Sequence, residues 1–409
     1  MNEPICNEFN DGIRLVYLNK LSEVGHLGFF FRAGSRFEKK NKVGLAHFLE
    51  HCVFKGTHKR NAIQTISRID EVGGELNAYT AKEELCLHAS FPKKYTSRAI
   101  ELLSDIAINP VFPSDELNKE KEIILDEINS YLDSPYEKIF DDFEEEMFKG
   151  HALGNNILGK KEGLNEFTKV DLQEYVKSYF TKDNLVVSYV GEVPLKKVVQ
   201  YLEKYLINMP ARISSNSFEV FDNYKSFEIY RKEANYQAHA IIGGMAPGYK
   251  DENRIAMTLL MNILGGPAMN SSLNLLLREK HVLAYGVEAN YVPYADVGFW
   301  QIYVGSESKN LKKSIRLIKR ELKKMQKSNI TDVRLKKAKQ QLKGQMALSM
   351  DSNSGLMHSL GKSFLAFGQI DTIQEIHKSI DDITSSQLKK LANTFMEGSQ
   401  ISTLVFDLR

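Results

Sequence analysis

Phe167-Thr168-Lys169-Val170-Asp171-Leu172 is followed, seven residues after its leucine, by Tyr179 and then by the apolar run Leu185 to Val190. The pattern returns near the C-terminus. There Ile383-Thr384-Ser385-Ser386-Gln387-Leu388 is followed at the same distance by Phe395, before the run Ile401 to Phe406. The two leucines are 216 residues apart in a chain of 409, and a similar offset of 214 relates Gly34 to Gly248. A chain of this length exceeds what one hydrophobic core usually fills, and a repeat at half its length points to two homologous domains. The Pro and Ser clustering from Ile207 to Ser217 reads as a connection. The expected division is therefore 1–209, a linker over 210–222, and 223–409.

Each half mixes strand-like runs with longer helical patterns. Ile13 to Leu18, Leu27 to Phe31 and Leu185 to Val190 read as strands in the first half, and Ala238 to Gly243, Phe299 to Val304 and Ile401 to Phe406 in the second. Leu311 to Gln326 and Asp332 to Leu348 read as helices. Neighbouring strands are not regularly separated by crossover helices. That favours an α+β fold, with a mostly antiparallel sheet packed with helices in each domain.

Lys and Arg total 54 against 52 Asp and Glu, a formal charge of +2. Such a balance gives no bulk electrostatic drive toward nucleic acid or membrane, so neither partner is expected. Cys6, Cys52 and Cys86 are an odd and sparse set that argues for a reducing compartment rather than a disulfide framework. The opening residues lack a basic segment followed by an apolar one, and no run approaches the ~18 apolar residues of a spanning helix. A cytoplasmic location is the expectation.

Gly44-Leu45-Ala46-His47-Phe48-Leu49-Glu50-His51-Cys52-Val53-Phe54-Lys55-Gly56 carries the chemistry. It reads as a helix ended by glycine. Leu45, Phe48, Leu49 and Cys52 form one apolar stripe, so His47, Glu50 and His51 cluster on the opposite side. Imidazoles at i and i+4 stand one turn apart and chelate one ion, and zinc suits two neutral imidazoles and a carboxylate with one position left open. Water in that position is acidified toward neutral pH, and a nearby carboxylate takes its proton. The His-x-x-Glu-His spacing is the inverted form of the zincin motif.

Spacing alone does not single out a third ligand among 52 acidic residues. Ser114 to Tyr131 offers a candidate, with Ser114 as N-cap and Asp115 and Glu116 in the first turn. Glu120, Ile123, Ile124 and Glu127 fall at i, i+3, i+4, i+7, two carboxylates on an apolar stripe. A metal for Glu127 and a supporting role for Glu120 would satisfy both acids. The alternative is a pair of surface acids framing two isoleucines. The run Asp141-Asp142-Phe143-Glu144-Glu145-Glu146 could attract basic peptides, but such runs are usually solvated helix faces, and this one reads as such.

At this point the sequence resembles the pitrilysin-type metallopeptidases, in the short two-domain branch of mitochondrial-processing-peptidase-like and bacterial processing-peptidase-like proteins. The resemblance runs through Gly34-Ser35-Arg36, the His-x-x-Glu-His helix, Phe54-Lys55-Gly56-Thr57, Gly73-Gly74 and Asn77-Ala78-Tyr79-Thr80. It continues through Glu120, Glu127, His151-Ala152-Leu153-Gly154 and Ile157-Leu158-Gly159. It implies one zinc per chain held by His47, His51 and Glu127, with Glu50 as general base and Glu120 in support. It also implies that the strand Glu75 to Thr80, with Asn77, Ala78, Tyr79 and Thr80, is an open edge to which a peptide substrate adds.

In the second half, Leu277-Arg278-Glu279-Lys280-His281-Val282-Leu283-Ala284-Tyr285 resembles the family's second domain. The resemblance gives Arg278 and Tyr285 as donors facing the metal across the substrate cavity. At the 214 offset Met261, Leu264 and Gly265 replace His47, Glu50 and His51, so this half carries no metal motif. Gly265-Gly266-Pro267-Ala268-Met269 is a shorter and less glycine-rich turn than the mobile loop of the mitochondrial substrate-recognising subunit. Recognition of targeting peptides by that loop is therefore not implied.

The expected function is a zinc endopeptidase acting on unfolded or short peptides in a closed chamber, as a homodimer. A subunit that needs a different partner chain is the alternative. A non-catalytic relative would have lost ligands or base, and a purely structural zinc would close all four positions.

Overall fold

The computed structural model describes residues 3–9, 12–211, 218–233 and 236–407. Residues 212–217 of the expected linker lie outside this set. The chain forms two compact units, each closed around its own sheet.

The first unit comprises residues 1–129, 155–219 and 349–370. Its strands are β1 (Ile5–Phe9), β2 (Ile13–Asn19), β3 (Val24–Phe31), β4 (Glu75–Thr80), β5 (Leu85–Pro92) and β6 (Leu185–Gly191), in the order β1-β2-β6-β3-β5-β4. Only β2 and β6 pair in parallel. Side chains alternate between two apolar faces. Leu15, Phe29, Leu87 and Val187 join a core with the helices Leu45–Cys52, Thr96–Ile108 and Lys169–Tyr179. Val16, Phe30, Cys86 and Val186 point the other way, onto Leu356, Met357, Leu360 and Phe364 of the helix Asn353–Phe367. Burial on both faces is why these strands read as continuous apolar runs.

The second unit comprises residues 130–154, 220–348 and 371–409. Its strands are β7 (Glu228–Lys232), β8 (Ala238–Ala246), β9 (Ala284–Pro293), β10 (Gly298–Ser306) and β11 (Ser402–Asp407), in the order β7-β11-β8-β10-β9. The parallel pair is β7 with β11, and the other pairings are antiparallel. Removing β1 from the first sheet leaves the same order and directions, so the repeat in sequence is a repeat in topology. Here the helix Pro135–Met147, from the first half of the chain, covers one sheet face. Its Ile139, Phe143 and Met147 pack with Ile241, Phe299, Leu404 and Phe406.

The acidic run on that helix is not a solvated face. Asp142 pairs with Lys138 and Arg231, Glu146 pairs with Arg231, and Glu144 accepts from the Tyr294 hydroxyl. Cys6 is exposed, Cys52 and Cys86 are buried, and all three are free. No described helix is long and apolar enough to cross a membrane.

Candidate metal centre

The motif helix runs over Leu45–Cys52, with Leu45, Phe48, Leu49 and Cys52 buried in the first core. It does not run to the glycine: Val53 closes it in right-handed geometry, and Gly56, at φ 129°, follows the turn beyond. Its N-terminus has no cap of its own, because Gly44 precedes it in left-handed geometry at φ 96°. Glu38 supplies the missing acceptor. Its carboxylate takes the backbone N–H of Gly44 at 3.0 Å and of Ala46 at 2.7 Å, where the helix dipole favours a negative charge. Burial nevertheless pushes Glu38 up to about 8, against those N–H bonds and the charge of Lys82.

His47 and His51 stand with ring centroids 4.7 Å apart. His47 is buried despite facing away from the apolar stripe, and its Nδ1 has no hydrogen-bond partner among the described residues. Burial first, and the neighbouring His51 second, pull His47 down to about 4, so the ring is neutral with a lone pair to give. Glu127 Oε2 lies 3.7 Å from His47 Nε2 and 3.4 Å from His51 Nε2. One donor atom from each of the three residues falls within 4.8 Å of the others. Ligands ~2.1 Å from a tetrahedral zinc stand roughly 3.4 Å apart, so the donor set fits such an ion.

Glu50 is not part of this set. Thr80, at the end of β4, lies near its carboxylate and favours the charged form, while the Thr80 hydroxyl donates to the Ala46 carbonyl at 3.4 Å. Burial raises the Glu50 carboxyl, Thr80 and His51 oppose the rise, and Glu127 adds to it.

Glu120 and Glu127 come from the helix Ser114–Leu132. The stripe differs from the expected one: Leu117, Glu120, Ile124 and Ile128 are buried, whereas Ile123 is 50% exposed. Glu127 therefore sits at the margin of the buried face, where its carboxylate reaches both imidazoles. Glu120 is deep, with its side chain 5% exposed, and its Oε2 accepts from His51 Nδ1 at 3.1 Å. Its other oxygen meets Lys55 Nζ at 2.6 Å.

β4 is the edge strand, bonded only to β5 in its sheet. Asn77 is exposed, and its Oδ1 accepts the N–H of Ala78 at 2.8 Å. Ala78 turns into the core, and Tyr79 turns to the opposite face, its hydroxyl donating to Glu84 at 2.9 Å. Arg278 and Tyr285 belong to the second unit. Arg278 is exposed on the π-helical turn Asn274–Lys280 and reaches back to Asn274 at 3.4 Å. Tyr285, on β9, is 57% exposed and donates to Glu307 at 3.3 Å. Between them Val282 holds φ 51°, a strained value for a β-branched residue. Met261, Leu264 and Gly265 are buried on the helix Arg254–Gly265.

Sequence reasoning missed three contributors: Glu38 at the helix start, Thr80 on Glu50, and Lys55 on Glu120. Lys55 left a signal, lying one helical turn beyond His51. The other two contacts join separate elements and left none.

The chain matches two family models, Insulinase (Peptidase family M16) over residues 14–161 and Peptidase M16 inactive domain over residues 166–342. A Bacillus subtilis relative named as an uncharacterized zinc protease, YmxG, is 31% identical over 386 residues, covering 93% of this chain and 93% of its own length. An Arabidopsis thaliana relative named as a probable mitochondrial-processing peptidase subunit beta is 27% identical over 405 residues, covering 96% of this chain and 76% of its own length. A crystal structure of a peptidase M16 inactive domain from Pseudomonas fluorescens superposes with a TM-score of 0.93, covering 100% of this chain and 98% of that one. At 16% identity that structure speaks for the fold alone. Identity to the Bacillus protein, held across nearly the whole of both chains, places this protein in the pitrilysin-type M16 peptidase family.

Proposed function

We propose that this protein is a zinc-dependent endopeptidase that hydrolyses unfolded or short peptides in a closed chamber. The observation that carries the reading is the separation of roles in the first unit. Three donor residues converge within 4.8 Å, while Glu50, on the same helix as the two histidines, stays outside that set. His47, His51 and Glu127 would hold one ion per chain. When bound, zinc supplies a Lewis acid for the scissile carbonyl and a place for water. Glu50 takes the proton from the attacking water and passes it to the leaving amine, work suited to a carboxylate that burial makes more basic. β4 offers a free edge for pairing with the substrate backbone, which reads main chain rather than side chains.

Arg278 and Tyr285 are donors of the kind that hold a substrate backbone and a developing oxyanion. We assign them to that role in a homodimer, each pair serving the partner copy's site. The alternative is a subunit that needs a different chain, favoured by the Arabidopsis relative's name as one subunit of a peptidase.

The test is Glu50→Gln beside wild type. The variant should keep about one zinc per chain and lose peptide hydrolysis ~10²- to 10⁴-fold. Mixing it with Arg278→Ala chains should restore part of the activity if sites are shared across copies. Full hydrolysis by a metal-stripped sample would sink the reading, and a wild-type chain that stays inactive until another subunit is added would favour the alternative.

A further inference from the structure

The two imidazoles at the metal centre are supported differently. His47 Nδ1 is buried and has no hydrogen-bond partner among the described residues. His51 Nδ1 meets Glu120 Oε2 at 3.1 Å, and Glu120 Oε1 meets Lys55 Nζ at 2.6 Å. Each oxygen of one buried carboxylate thus has its own partner.

We propose that Lys55 is a positioning residue for the metal ligand His51, acting through Glu120. The inference rests on the metal reading given above. A carboxylate with a side chain 5% exposed is costly to bury without a counter-charge, and Lys55 is the cation that meets it. Lys55 lies beyond the helix end, and the turn that bonds its N–H to the Cys52 carbonyl at 3.1 Å returns it to the same side. With Oε1 held by the ammonium, the carboxylate cannot rotate away from the imidazole. Oε2 then fixes His51 with its proton on Nδ1 and the lone pair on Nε2. That nitrogen is the one 3.4 Å from Glu127 Oε2.

A carboxylate behind a ligating histidine sets its tautomer and strengthens it as a donor. Lys55 holds that carboxylate in register. Without the lysine Oε1 has lost its partner, the carboxylate turns, and the Nε2–H tautomer competes. That form offers no lone pair to the ion.

The test uses the full-length chain in two forms. In the metal-free form, nitrogen NMR of labelled histidine reads the His51 tautomer, which should be Nδ1–H in wild type and mixed in Lys55→Met. In the second form, zinc affinity is read by competition with a chromophoric chelator. Lys55→Met should bind about 10- to 100-fold more weakly, and Lys55→Arg should recover most of the loss. In a Glu120→Gln background, Lys55→Met should cost little more. Wild-type affinity and tautomer in Lys55→Met, or losses that simply multiply in the double variant, overturn the role of Lys55. So does a fall in thermal stability with tautomer and affinity unmoved. A wild-type chain that takes up no zinc overturns the metal reading itself, and this inference with it.

Discussion

Gly44 and Gly159 meet backbone to backbone: a side chain on Gly44 would fall 2.7 Å from the Cα of Gly159, and one on Gly159 would fall 2.8 Å from the Cα of Gly44. Both hold positive φ, 96° and 74°. The contact lies at the start of the helix that carries His47, Glu50 and His51. Gly159→Ala should cost at least about 1–2 kcal/mol from the left-handed backbone alone, before its clash with the Val43 carbonyl oxygen at 2.6 Å. Urea unfolding measures this, and an unchanged midpoint would mean that the two loops do not approach as described.

Glu38 makes the stability of the motif helix fall as pH rises from mildly acid to neutral. Its carboxyl rises from 4.5 to about 8 on folding, so the folded chain keeps a proton that the unfolded chain has released. Stability from this group is therefore full below about 4.5 and declines as pH rises toward about 8. Glu38→Gln, which keeps an acceptor but cannot ionise, should match wild type at pH 5 and exceed it at pH 8. Glu38→Ala should cost on the order of 2–4 kcal/mol at pH 5, because it leaves buried N–H groups bare, and less at pH 8, where it too escapes the ionisation penalty. Melting curves across that range decide it. A Glu38→Gln variant with the wild-type pH slope would refute the prediction.

Acid should loosen the first unit through a different cluster. His26 on β3, His88 on β5 and His358 on the helix Asn353–Phe367 gather there, with the His88 and His358 rings 4.6 Å apart. Glu75, Glu84, Lys362 and Tyr79 surround them. Burial lowers all three histidines below 6.5, His88 to about 4. The unfolded chain takes up protons first, so this stability is present above about 6.5 and lost as pH falls toward about 4. Each of His88→Asn and His358→Gln should remove up to ~1.4 kcal/mol per pH unit from the slope. Unfolding midpoints at closely spaced pH values test it, and slopes identical to wild type would contradict it.

Much of this was legible in the chain. The helix and strand pair that recurs after 216 residues became Lys169–Tyr179 with β6 and Ser385–Phe395 with β11. The His-x-x-Glu-His spacing left little freedom, because one helical turn fixes both imidazoles. What stayed hidden depends on contacts between segments far apart in sequence. Ile123 and Ile124 look alike in a periodic reading, yet only the packing of neighbouring helices buries one and exposes the other. The acidic run at 141–146 reads as water-facing until Arg231 and Tyr294 are brought against it.

The two covering helices bear on what counts as a part of this molecule. Asn353–Phe367 closes the first sheet and Pro135–Met147 closes the second, each drawn from the other half of the chain. A fragment ending in the linker would leave Val16, Phe30 and Val186 wet. Its complement would do the same to Ile241, Phe299 and Phe406. Such bare faces invite aggregation. The repeat in sequence and topology thus does not mark out two modules that can be separated, shuffled or lost singly. A protease cut in the linker would leave two pieces still clasped through the helices they have exchanged, and neither piece would be worth inheriting alone.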